Sequence, residues 1–117
     1  MIKIGLFGFG RIGRAITRQI IDSNKFEISF ICDANPSLEN ICYLLKYDST
    51  YGKLNYDVKT DSSNIIINDS NSVIKYFKKD QFHLIDYRNV DLLIDATGSK
   101  QLAEELETVA INKNLKL

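Results

Sequence analysis

A chain of 117 residues, 44% of them hydrophobic, has the size of one domain and enough apolar side chain to bury a core, which excludes disorder. Fifteen basic residues balance fifteen acidic ones and neither sign gathers into a block, so neither nucleic acid nor an anionic membrane surface is expected as a partner. Met1 runs straight into a strand pattern without a basic and apolar leader, and no apolar run approaches the ~20 residues of a membrane span, so a cytoplasmic protein is expected.

Residues 2–7 are almost continuously apolar, as in a strand buried on both faces of a parallel sheet. Gly8, Gly10 and Gly13 follow at the spacing G-x-G-x-x-G. Residues 11–22 predict a helix with Ile12, Ala15, Ile16 and Ile20 toward the sheet and Arg11, Arg14 and Arg18 on another side. A second strand over 26–32 stops at Asp33. Asn35, Pro36 and Ser37 make a turn, and Ser37 caps a helix with the stripe Ile41, Leu44 and Leu45 that ends near Lys46 or Tyr47.

Residues 47–52 read as a loop. Three short strands are expected next, over 54–59, 64–68 and 72–77, the last two joined by a turn at Asp69, Ser70 and Asn71. A further buried strand over 90–96 ends in Thr97 and Gly98, and Ser99 introduces a helix over 100–111 with Leu102, Leu106, Val109 and Ala110 on its inner face. Residues 112–117 lead from that helix into the start of another strand. The pattern predicts an α/β fold, a Rossmann-type doubly wound and mostly parallel sheet with a small antiparallel insertion. It is expected to be a single domain over 1–117 whose last strand or strands are missing or incomplete.

Two readings of the glycine turn stand. One is an ordinary tight turn that needs positive φ and close packing. The other is a dinucleotide-binding turn: the first glycine bends the chain, the second lets backbone approach a pyrophosphate, and the third lets helix and strand touch. The helix start, with its unpaired N–H groups and positive dipole end, then forms an anion site. That second reading requires a strand before, a helix after and an acid about 20 residues further on, at the end of the next strand. Asp33 stands there. Its carboxylate suits both ribose hydroxyls and repels a 2′-phosphate, which selects NAD over NADP; its plainer use is to cap the turn before Asn35 and Pro36. Thr97 and Gly98 lie at the strand end where ligands gather on open α/β sheets, and they serve equally as the turn before a helix.

Other polar residues carry less. His83, in FHLI, has no patterned partner and reads as structural. Lys78 and Lys79 read as a solvated strand end. Tyr43, Tyr47 and Tyr51 read as core and loop packing, with a subunit interface as their other common use. Cys32 and Cys42 form no CxxC pair, so no metal site or disulfide is expected, and both read as reduced core thiols without the basic surroundings of a nucleophile.

The string GFGRIGRAITR resembles the N-terminal signature NGFGRIGR of the glyceraldehyde-3-phosphate dehydrogenase family, and YDSTYGKL is similar to that family's YDSTHGKF. Ala96-Thr97-Gly98 resembles its STG, while Phe7 stands where the family has Asn and Tyr51 where it has His. The resemblance implies a phosphorylating aldehyde dehydrogenase of glycolysis: a cysteine attacks the aldehyde, hydride passes to NAD, and inorganic phosphate releases the thioester as an acyl phosphate. It implies cofactor contacts at Gly8, Phe9, Gly10, Arg11, Ile12 and Gly13, with the backbone of Gly10, Arg11 and Ile12 around the pyrophosphate. It further implies Asp33 on the adenosine ribose, backbone near Lys79 on adenine, and Thr97 and Gly98 toward nicotinamide. The full-length parent is implied to be a homo-oligomer. The family's nucleophilic cysteine, its partner histidine and its phosphate-binding residues fall beyond Leu117, so these residues are expected to bind NAD without catalysing, and none of them is expected to be catalytic. Two alternatives remain: a non-catalytic module for assembly or regulation, and a related dehydrogenase of erythrose-4-phosphate, homoserine or aspartate-semialdehyde type.

Overall fold

A computed structural model of the chain describes residues 1–48, 52–53, 56–67 and 72–117. β1 (Ile2–Phe7) points Ile4 and Leu6 toward one face of a sheet and Phe7 toward the other, and all three are buried. In chain order follow α1 (Arg11–Ile21), β2 (Phe26–Asp33), α2 (Leu38–Lys46) and a small ladder of β3 (Tyr47–Asp48) with β4 (Gly52–Lys53). Next come β5 (Val58–Asp61), β6 (Asn64–Ile67), β7 (Ser72–Lys78), a 3-10 helix (Lys79–Leu84), β8 (Leu92–Asp95) and α3 (Lys100–Lys113).

The main sheet has the order β5-β6-β7-β2-β1-β8. β7, β2, β1 and β8 run parallel, and β6 and β5 are added antiparallel at one edge. Because β2 and β8 flank β1 on opposite sides, the chain winds outward from β1 in both directions, which opens a crevice at the carboxyl ends of these three strands. After α3 the chain returns to the free edge of β8, where Leu93 N–H donates to the Lys116 carbonyl at 2.8 Å, so the expected start of another strand is present.

Each face of the sheet has its own core. α1 and α2 cover one with Ile20, Ile41 and Leu45 against Ile4, Leu6, Ile28 and Ile31. α3 and the 3-10 helix cover the other with Leu106 and Phe82 against Phe7, Phe30 and Leu93, where the rings of Phe7 and Phe30 meet edge to face at 5.4 Å. Phe7, in the place of the family's Asn, is fully buried there. Among the described residues no helix is long and apolar enough to cross a membrane.

The structure differs from the sequence pattern in several places. α1 is rolled away from its apparent apolar stripe: Gly13, Thr17 and Ile20 are buried, whereas Ile12 is 68% exposed. Gly13 sets that roll by lying against the turn, and Thr17 enters the core because its hydroxyl donates to the Gly13 carbonyl at 2.8 Å. Tyr43 and Tyr47 are not core residues; they are exposed, with ring centroids 5.1 Å apart. The strand expected over 54–59 is β5, later in the chain, because the two-residue turn Ser62-Ser63, with Ser62 at φ 51°, sets its register to β6. The last strand is shorter than the apolar run over 90–96, since Val90 N–H donates to the Tyr87 carbonyl in a local turn instead of to a ladder. The supposed loop over 47–52 is framed by the β3–β4 ladder. Tyr51, Leu54 and the expected turn at Asp69, Ser70 and Asn71 lie outside the described residues.

Candidate functional site

β1 ends because Gly8 adopts φ 95°, a conformation that an L side chain resists. A Cβ on Gly8 would also lie 2.8 Å from the Ala96 carbonyl carbon, so this glycine lets the loop after β8 touch the turn. The turn is tied to both neighbours: Gly8 N–H donates to the Cys32 carbonyl at 2.8 Å, and Ala96 N–H to the Phe7 carbonyl at 2.7 Å. A Cβ on Gly13 would stand 2.2 Å from the Gly8 carbonyl oxygen, so helix and turn meet in a contact that only glycine permits. Gly10 is different. It has ordinary dihedral angles, φ −78° and ψ −159°, and nothing lies within 4 Å of the place a Cβ would take.

Gly10 is the N-cap of α1, where no side chain caps the helix and no acid stands in the first turn. The first amides of a helix lack intrahelical partners. Among the described residues, those of Gly10, Arg11 and Ile12 receive none from elsewhere in the chain. Three N–H donors and a positive helix end therefore stand beside an open glycine face.

Asp33, at the end of β2, is held in place by backbone. Its Oδ1 accepts from Phe9 N–H at 2.8 Å and its Oδ2 from Asn35 N–H at 3.0 Å, which leaves each oxygen further lone pairs. It thus serves as the turn cap and faces the crevice at once. The Tyr76 hydroxyl steadies the same loop by donating to the Asn35 carbonyl at 2.6 Å. Burial first, and the charge of Asp33 second, raise the pKa of this phenol and keep it protonated.

The opposite wall is built from polar links within the chain. Asp95 Oδ1 accepts from Thr97 N–H at 3.0 Å and from its hydroxyl at 2.6 Å. Thr97 Oγ1 accepts from Ser99 N–H at 3.1 Å, and Ser99 Oγ caps α3 by accepting from Leu102 N–H at 3.2 Å. Gly98, at φ 73°, allows the bend between them.

Between these walls lies a cleft of about 530 Å³ that brings together Gly8, Phe9, Gly10, Asp33, Lys79 and Thr97. The side-chain positions of Arg11, Ile12, Gly13 and Gly98 do not line it: Gly13 is buried beneath the turn, and the other three are exposed beside it. Phe82, Gln101, Leu102 and Glu105 also face the cleft, and sequence reasoning missed them. The offsets among Gln101, Leu102 and Glu105 put them on one helical face, a signal present in the sequence; Phe82 gave none, because the 3-10 helix that carries it was not expected.

Cys32 also borders the cleft, but burial and then the charge of Asp33 push its thiol up to about 11; burial alone does the same to Cys42. Both are free thiols and remain protonated at neutral pH, without nucleophilic character. His83 is exposed and lies outside the cleft lining.

A family model described as "Glyceraldehyde 3-phosphate dehydrogenase, NAD binding domain" matches residues 2–103. The chain belongs to the glyceraldehyde-3-phosphate dehydrogenase family. It is 37% identical over 99 residues to glyceraldehyde-3-phosphate dehydrogenase 1 of Kluyveromyces marxianus, covering 84% of this chain and 30% of that protein. It is 38% identical over 98 residues to the glyceraldehyde-3-phosphate dehydrogenase of Buchnera aphidicola subsp. Schizaphis graminum, covering 83% and 29%. With that of Danio rerio it shares 39% identity over 80 residues, 68% and 24% of the two chains. The chain thus spans about a quarter to a third of the length of these curated relatives. The matched region is the NAD-binding domain of an oxidoreductase family, and its cofactor is NAD.

Proposed function

We propose that residues 1–117 form one domain that binds NAD for a phosphorylating aldehyde dehydrogenase, in which an aldehyde phosphate is oxidised to an acyl phosphate. The observation that carries the assignment of the site is the open face of Gly10 beside the amides of Gly10, Arg11 and Ile12, a place that a Cβ would fill and that suits a pyrophosphate. NAD supplies a hydride acceptor when bound. Gly8 and Gly13 shape the turn, the three amides hold the diphosphate, and the lone pairs left on Asp33 receive the adenosine ribose hydroxyls. Backbone at Phe9 and Lys79 borders the adenosine half, and Thr97 with Gly98 forms the wall toward the nicotinamide. Cys32 and Cys42, both buried and protonated, take no part in acyl transfer, so the role of these residues is to bind and orient. The balanced charge supports a chain that does not bind nucleic acid or an anionic membrane surface, and the family resemblance supports a cytoplasmic, homo-oligomeric parent. Calorimetric titration tests the reading: saturable NAD binding is expected, and no heat of binding at millimolar NAD contradicts it.

A further inference from the structure

The three arginines of α1 share one side of the helix in the sequence, and the fold gives them separate surroundings. Arg11 is exposed. Arg18 reaches the end of α2, where its Nη2 donates to the Leu45 carbonyl at 2.7 Å and the Lys46 carbonyl at 3.2 Å. Arg14, half-buried, reaches back into the glycine turn, where its Nη1 donates to the Phe9 carbonyl at 3.2 Å. Its backbone N–H donates to the Gly10 carbonyl at 2.9 Å. Arg14 does not line the cleft, so it acts on the turn from behind.

A carbonyl and the N–H of the next residue share one rigid trans peptide plane and point in opposite directions. Whatever holds the Phe9 carbonyl therefore sets the direction of the Gly10 N–H, and whatever holds the Gly10 carbonyl sets that of the Arg11 N–H. Arg14 does both, the first with its side chain and the second with its main chain. Gly10 needs such a hold, since it has no side chain to anchor it and nothing lies within 4 Å of the place a Cβ would take. The preceding plane is held by the opposite charge, through Phe9 N–H on Asp33 Oδ1 at 2.8 Å. We infer that Arg14 is a positioning residue of the diphosphate site, its guanidinium fixing the Phe9–Gly10 peptide so that the Gly10 N–H stays turned outward, an inference that rests on the NAD-binding reading above. Without that contact the plane is free to rock, and the donor has to be ordered each time an anion binds.

The test uses the ¹⁵N-labelled 117-residue chain with two variants: Arg14→Met, which keeps an unbranched stem and removes every donor, and Arg14→Lys, which keeps a charged donor. Backbone order parameters are measured without nucleotide, and NAD affinity by calorimetry. The Gly10 amide of the wild type is expected in the rigid range, about 0.85, and that of Arg14→Met below about 0.6. The amides of Asn40 and Leu102, held by Ser37 and Ser99, are expected to stay rigid in both, which separates a local effect from a general loosening. NAD affinity of Arg14→Met is expected to fall roughly tenfold, and that of Arg14→Lys to return to within about threefold of the wild type. If Arg14→Met does not fold, Arg14→Gln, two bonds shorter than arginine, is read in its place against the same values. A rigid Gly10 amide in the donor-less variant, unchanged NAD affinity, or a lysine variant as weak as the methionine one each overturns the inference and leaves the NAD-binding reading intact. A wild-type chain that does not bind NAD overturns both.

Discussion

Two helices begin at the same edge of the sheet, on either side of one cleft, and they begin in opposite ways. β1 and β8 lie side by side, with Phe7 opposite Asp95, and each hands over to a helix within a few residues. α3 starts on Ser99, whose hydroxyl takes the Leu102 amide, and Asp95 and Thr97 bind the amides just before it. α2 is capped in the same manner by Ser37. α1 starts on a glycine with no cap, although a Ser, Thr or Asp at that position contributes stability. The dihedral angles of Gly10 permit any of them. A helix whose own chain satisfies its first amides is built for stability, and one that keeps them open, beside a glycine with clear space above it, is built to receive an anion.

Four substitutions break or sharpen this contrast. Gly13→Ala should be the most damaging, because its Cβ would press on the Gly8 carbonyl; a loss of about 3 kcal/mol in denaturant unfolding is expected, and a loss below about 1 kcal/mol would mean that helix and turn are not in contact. Asp33→Ala should weaken NAD by ~1.5 to 3 kcal/mol if the carboxylate accepts from the ribose, whereas unchanged affinity in calorimetry would reduce it to a cap for Phe9 and Asn35. Ser99→Ala should cost about 1 kcal/mol of stability and leave NAD affinity nearly unchanged, as befits a cap of structural use. Gly10→Ser should move stability least, upward by a few tenths of a kcal/mol as the new hydroxyl caps α1.

Much of this contrast is legible in the sequence. The apolar run before the glycines, Asp33 at the end of the second strand, and Ser37 and Ser99 ahead of helical stripes each depend on neighbours in the chain, and local pattern records them. What depends on contacts made only in the folded chain is not legible. Ile12 looks like a core position by spacing, yet the approach of Gly13 to Gly8 turns it to solvent and turns Thr17 inward. Lys79–Leu84 lacks a helical stripe, and its 3-10 turns are stabilised by packing Phe82 on Phe7. Gln101 and Glu105 are solvated residues of α3, and that they border the same cleft as Asp33 and Lys79 emerges only in the fold. The glycine spacing marked the turn; only the fold shows that of its three glycines one faces open space while the other two are pinned.

The central claim, that the open start of α1 holds the diphosphate, is tested most directly by titrating Gly10→Ser with NAD alongside the unsubstituted chain. The added side chain takes up the clear space and engages the amides, so NAD affinity should fall at least about tenfold while the unfolding midpoint holds or rises. A Gly10→Ser chain that binds NAD as tightly as the original would contradict it.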